Sequence, residues 1–236
     1  MLDFKVQKIQ LALFSNNFNL TNMSSVANEL KTKTENIFDG QEAILPLPID
    51  APSEIPRIIL KSADNSYSCN IALSRTDFFF QDISEGKKLE EVIKDYSAKA
   101  EKIYSYFVSE KNVRIGRIGF VVNFVSELSN SSKKLLQDNI FQDKFYFAQS
   151  DKLKNIALIF SEKDKLDKFE ISRLIKIESL RKKSNPDDDK KIAIQYDINT
   201  LAEKANEYIL STEDIKNILN LSYEEMELNL NKFLSL

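Results

Sequence analysis

From Ile118 to Phe124 every second residue is apolar: Ile118, Phe120, Val122 and Phe124, with Gly119, Val121 and Asn123 between them and Arg117 before. Successive side chains of a β-strand point to opposite faces, so this spacing predicts a strand within Val113–Val125 with one apolar and one mixed face. Val6–Phe14 (VQKIQLALF) has the same pattern, with Ile9, Leu11 and Leu13 on one face and Lys8, Gln10 and Ala12 on the other. Setting Ile9 against Ile118 brings Leu11 onto Phe120, Leu13 onto Val122 and Lys8 onto Arg117. A Ser/Asn-rich loop and a helical run follow each strand, ending in Asn36-Ile37-Phe38-Asp39 in one case and in Asn139-Ile140-Phe141-Gln142 in the other. Strand-like runs follow again. The pattern predicts a β-α-β-β unit used twice, over residues 1–82 and 111–198.

The intervening segments have their own signals. Ser24-Ser25 can cap a helix reaching Phe38, with Asp39-Gly40 as its stop. Pro46, Pro48, Pro52 and Pro56 fix φ and lack an N–H, so Gln41–Pro56 reads as a stiff extended connector outside any central ladder. Arg57–Lys61 and Tyr67–Ser74 read as a hairpin with Ala63-Asp64-Asn65-Ser66 as the turn. Within 86–109, Leu89, Val92, Ile93, Tyr96, Ala100, Ile103 and Phe107 recur at steps of three and four, which predicts a linking helix laid on the sheet. In the second unit the pattern predicts a helix over Ser129–Ile140, a strand at Lys144–Gln149 and a hairpin of Asn155–Phe160 with Lys168–Leu180. Glu162–Lys165 lies between those hairpin strands. A charged loop, Arg181–Lys190, and a last strand, Lys191–Asp197, follow. Thr200/Glu203 and Ser222/Glu225 have capping-box spacing and predict helices in 199–236. The expected architecture is one α+β domain over 1–236: a large, mostly antiparallel sheet with helices on one face and C-terminal helices packed on it.

Composition narrows the chemistry. The chain has 236 residues and no histidine, which removes imidazole bases, Ser-His and Cys-His nucleophiles and nearly all zinc catalysis. A single cysteine, Cys69, excludes an intramolecular disulfide and reads as a buried thiol. Gly116 and Gly119 give only G-x-x-G inside a strand pattern, where close packing or a bulge is the expected meaning. Asp187-Asp188-Asp189 sits beside Pro186 and a basic run and reads as a solvated loop; no metal site and no cofactor are expected. The charge is −3, without the basic excess of a dedicated nucleic-acid binder. No apolar run approaches a membrane span, and charges interrupt the N-terminal segment where a signal peptide needs apolar residues, so no membrane partner and a cytoplasmic location are expected.

From Pro56 onward the order of features resembles a sporadically distributed family of uncharacterised prokaryotic proteins. The likeness rests on Pro56-Arg57-Ile58-Ile59-Leu60-Lys61-Ser62-Ala63-Asp64, on Ser74-Arg75-Thr76-Asp77-Phe78, on a long helix containing Tyr96 and Phe107, and on Tyr196-Asp197-Ile198 before the closing helices. It implies a layout and no chemistry. The residues themselves favour a non-catalytic, protein-binding interaction protein of bacterial or phage type. Its surface would be the sheet face carrying Lys8, Gln10, Arg117, Asn123 and Lys176. Phe78, Phe79 and Phe80 are an alternative interface for a partner or for self-association, and Arg75 with Asp77 form a site or an ion pair. The alternatives are a histidine-independent enzyme using carboxylate, lysine and arginine groups, and a nucleic-acid strand on the open face, which the few aromatics there disfavour.

Overall fold

The two stretches of strongest alternation, β1 (Lys5–Phe14) and β6 (Arg117–Glu127), pair antiparallel at the middle of the sheet. Leu11 stands opposite Phe120, Ile9 opposite Val122 and Leu13 opposite Ile118, so apolar side chains meet on one face. A slip of one residue would move all of them to the other face, so the alternation sets the register. The computed structural model describes residues 3–16, 18–48, 50–84, 86–138, 156–180 and 190–234. Outward from β1 come β5 (Arg75–Gln81), β4 (Tyr67–Ile71), β3 (Ile58–Lys61) and β2 (Glu42–Ile44). Outward from β6 come β9 (Lys191–Thr200), β8 (Phe169–Leu180) and β7 (Ala157–Leu166). They form one nine-stranded sheet in the order β2-β3-β4-β5-β1-β6-β9-β8-β7, antiparallel throughout. Beside each central strand the chain places its latest strand first and works outward in reverse, β5-β4-β3 and β9-β8-β7. The protein is an α+β fold built on a large antiparallel sheet.

Helices α1 (Met23–Lys33), α2 (Leu89–Ser105), α3 (Ser132–Leu136) and α4 (Thr212–Leu234) bring their apolar residues into one core with the inward residues of the strands. α2 lies against the centre of the sheet. Tyr96, fully buried, stacks on Phe78 at 5.0 Å between centroids and donates its hydroxyl to the Phe78 carbonyl at 3.0 Å. At the β7–β8 end, the inward-facing Arg173 would leave a charge in the core without partners. Glu225 of α4 and Glu162 and Asp164 of β7 supply them, which ties the last helix to the sheet edge.

Several local expectations are corrected. Asn22, not Ser24-Ser25, caps α1, its side chain accepting from the Ser25 N–H at 3.0 Å. Arg75–Gln81 is a full strand, which Phe78-Phe79-Phe80 conceals because three consecutive apolar residues carry no alternation. Glu162–Lys165 is not a turn but part of β7, a ten-residue strand at the sheet edge; the turn is at Asp167, whose φ is 54°. β9 runs on to Thr200, leaving one 3-10 turn, Ala202–Lys204, where a capped helix was expected. Ser222 lies buried inside α4, and the reciprocal cap is upstream at the helix start, where Ser211 N–H donates to Asp214 and Asp214 N–H to the Ser211 hydroxyl. The expected strand Lys144–Gln149 and residues 181–189 of the charged loop, Asp187–Asp189 among them, lie outside the described residues.

The β3–β4 turn shows how short polar residues set a hairpin. Asp64 accepts from the Ser62 hydroxyl at 2.6 Å and from the Ser66 N–H at 2.9 Å, while Asn65 takes the left-handed conformation at φ 58°. Those bonds, the Ser62 hydroxyl first, hold the Asp64 carboxyl down at about 2 from an ordinary 3.8. A carboxyl lowered in the folded state stabilises above its unfolded pKa, and that contribution is lost as pH falls through the folded one. Asp64→Ala is therefore expected to cost about 1 kcal/mol or less at neutral pH, because the turn is solvent-exposed. The difference from wild type should shrink between pH 3.8 and about 2 in urea unfolding, and a difference unchanged across that window contradicts this account.

Candidate functional site

The face of the sheet opposite the helices is a grid of polar and small residues. Across β5, β1, β6, β9 and β8, one row reads Asp77, Ala12, Gly119, Asn199, Ser172. The next reads Phe79, Gln10, Val121, Asp197, Leu174, and the one after it Gln81, Lys8, Asn123, Gln195, Lys176. At the strand ends a fourth row is Arg75, Phe14, Arg117. All five expected face residues, Lys8, Gln10, Arg117, Asn123 and Lys176, therefore share this side. β9 states the division most plainly: Ile192, Ile194, Tyr196 and Ile198 are buried, while Gln195, Asp197 and Asn199 are half-buried on the other side. No described helix lies over this face.

Its charges are largely paired. Asp77 receives the Arg75 fork, from Nε at 2.6 Å and Nη2 at 2.8 Å, and a third bond from Gln10 Nε2 at 2.9 Å. The expected Arg75/Asp77 pair is thus a bidentate ion pair, extended by Gln10. Lys176 Nζ holds Glu178 at 2.6 Å, and Lys8 Nζ sits over the Phe79 ring at 4.4 Å. Asp197 accepts from the Asn199 amide, and the Arg117 guanidinium donates to Asn199 Oδ1 at 3.3 Å. Burial raises the Asp197 carboxyl above its ordinary value, against the opposing pull of Asn199 and Arg117. Asp77 and Asp197 stand on β5 and β9, three strand spacings apart and one row displaced, which is more than about 14 Å. That exceeds the roughly 5–10 Å of a paired-carboxylate glycosidase. Cys69 lies on the sealed side, where burial pushes its thiol far up and leaves it unreactive.

An interface built on all of Phe78, Phe79 and Phe80 is not available. Phe78 and Phe80 point into the core, 1% and 2% exposed, and Phe79 alone of the three faces the open side. Alternation within the strand separates them.

Two clefts lie among the described residues. The larger, of about 380 Å³, opens at the strand ends, where residues 202–206 cross the start of β6; Phe14, Arg114, Arg117, Ser74 and Asn206 line it. The second, of about 270 Å³, lies between α1 and the π-helical turn Tyr106–Glu110 that continues α2. Lys111 closes on Glu29 there at 2.5 Å, and the Tyr106 hydroxyl donates to the same carboxylate at 3.3 Å. Sequence reasoning missed Phe14, Asp197, Asn199 and the first cleft. Phe14 shares the parity of Lys8 and Gln10, and Asp197 that of Gln195, so extending the period-two reading to the strand ends would have found them. The cleft itself has no local signal.

The chain matches no protein-family model, no curated protein and no solved structure. Among the described residues no helix is long and apolar enough to cross a membrane, and no three of Asp, Glu and Cys converge on a possible metal position.

The glycines of the G-x-x-G differ in what they touch. A Cβ on Gly116 would collide with the backbone carbonyl of Ala205, whereas one on Gly119 would meet the movable end of the Asn199 side chain. Gly116→Ala should cost about 1–3 kcal/mol, since backbone must move, and Gly119→Ala distinctly less. Equal losses in chemical denaturation would contradict this reading.

Proposed function

We propose that the protein is a non-catalytic binding protein of the cytoplasm, and that a protein partner docks on its open sheet face. The observation carrying this reading is the contrast in β9, where one set of alternate residues is sealed under helices and the other stays half-buried beneath no described element. Nine strands at about 4.8 Å, several of them ten residues or longer, span of the order of 1,000 Å², enough for the roughly 800 Å² that one partner buries in a standard interface. Chemistry selects the occupant. Arg75, Lys176 and Lys8 are engaged by Asp77, Glu178 and the Phe79 ring, so the face offers hydrogen bonds and ring surface with little net charge. A nucleic-acid strand needs an excess of unpaired cations; a protein surface of mixed polarity does not. A catalytic reading would need convergent carboxylates, and the separation of Asp77 from Asp197 argues against it.

The matching strand order on either side of the β1–β6 pair supports a further reading, an internal duplication. The alignment that sets Ile9 on Ile118 also sets Leu11 on Phe120, and those two residues stand directly opposite each other. A two-fold axis through that pair would exchange the halves and carry Asp77, opposite Ala12, onto Asp197, opposite Val121.

Photocrosslinking tests the docking face. A benzophenone amino acid at Val121 or Leu174, on the open face, is expected to give a discrete protein adduct in the native host, and one at Glu101 on the exposed side of α2 none. Adducts equal at both kinds of position, or only from Glu101, would overturn the proposal.

A further inference from the structure

We propose that the cleft at the strand ends is an anion-binding site, one that takes a phosphoryl or carboxylate group of a small ligand. This does not rest on the docking reading. Arg75, Phe14 and Arg117 stand side by side on β5, β1 and β6 by register, and both guanidinium groups lie against the Phe14 ring, at 5.6 Å and 4.5 Å from its centroid. Stacking on a ring orients a guanidinium and leaves its charge intact.

Asp197 feels the Arg117 charge without forming an ion pair with it, and the other nearby carboxylates are already committed. Asp77 is taken by Arg75, Glu203 by Lys163 at 2.7 Å, and Glu207 by Lys204 at 2.9 Å. No aspartate or glutamate among the described residues lines the cleft. Arg117 does line it and forms no ion pair among the described residues; the one hydrogen bond of its side chain to them is the 3.3 Å contact to Asn199. An oxyanion entering the cleft therefore meets a guanidinium that no carboxylate holds, and gains a charge-assisted bond from it. Arg114, on the same wall, donates to the Asn206 carbonyl at 2.5 Å and so holds the crossing segment at the cleft mouth. The close packing of Gly116 on Ala205 fixes the floor. At about 380 Å³ the cleft falls in the size range of small-ligand sites.

Isothermal titration of the full chain at low salt, with pyrophosphate and separately with citrate, tests the assignment and distinguishes the two anion sources. Saturable binding of either is the expected result, weakened at least tenfold in Arg117→Met and unchanged in Lys94→Met, a cation lost from the exposed side of α2. Arg114→Met, at an exposed position, is expected to weaken binding severalfold and serves if Arg117→Met does not fold. Neither anion binding, or binding that both arginine variants retain, or an equal loss in Lys94→Met, would overturn the proposal.

Discussion

Pairing of β1 with β6 is the constraint on which the rest of the structure depends. The two strands come from distant parts of the chain, so joining them closes a long loop whose entropy local contacts cannot offset. What offsets it is burial. Ile9, Leu11, Leu13, Ile118, Phe120 and Val122 are all at most 1% exposed, and each such side chain contributes roughly 1.5–3 kcal/mol on leaving water. Once this pair is in register, each half can add strands only outward, and β5 and β9 take the places beside it. The helices have one apolar surface to cover. Tyr96 of α2 meets both halves there, stacked on Phe78 of β5 and 6.4 Å from the Phe120 ring of β6.

The same alternation that seals one face leaves the other polar, and the second face is organised by compensation. Its aspartate on β5, Asp77, is saturated by Arg75 and Gln10; Asp197 leans on Asn199 and, at longer range, on Arg117. Near the middle, Ala12 and Gly119 leave the surface low between these groups. Only towards the strand ends does the compensation fail, because Phe14 stands where a carboxylate would be needed beside Arg117. The open face and the cleft thus share one sheet but differ in charge balance.

Much of this was legible in the sequence where a strand has one dry and one wet face. The alternation in β1, β6 and β8 assigns Lys8, Gln10, Arg117, Asn123 and Lys176 to one side without any structure. Legibility fails where that asymmetry fails. In β5 the run of three phenylalanines hides which of them faces the core. In β7, an edge strand exposed along most of its length, Glu162–Lys165 has no apolar period and reads as a turn. Capping-box spacing misleads at Ser222, because the motif lies within a helix already nucleated by Ser211 and Asp214. The cleft is illegible for a different reason. Its walls come from residues 14–16, 74, 114–117 and 202–206, which only the completed sheet brings together.

The central claim is that one face of the sheet is sealed and the other is open to a partner, and hydroxyl-radical footprinting tests it on adjacent residues of one strand. Phe78 and Phe79 differ by a single position but are assigned to opposite faces. The account predicts that in the isolated protein Phe79 and Phe14 are oxidised readily, while Phe78, Phe80 and Tyr196 are protected. Phe79 protected to the same degree as Phe78 would mean that both faces are covered, and would contradict it.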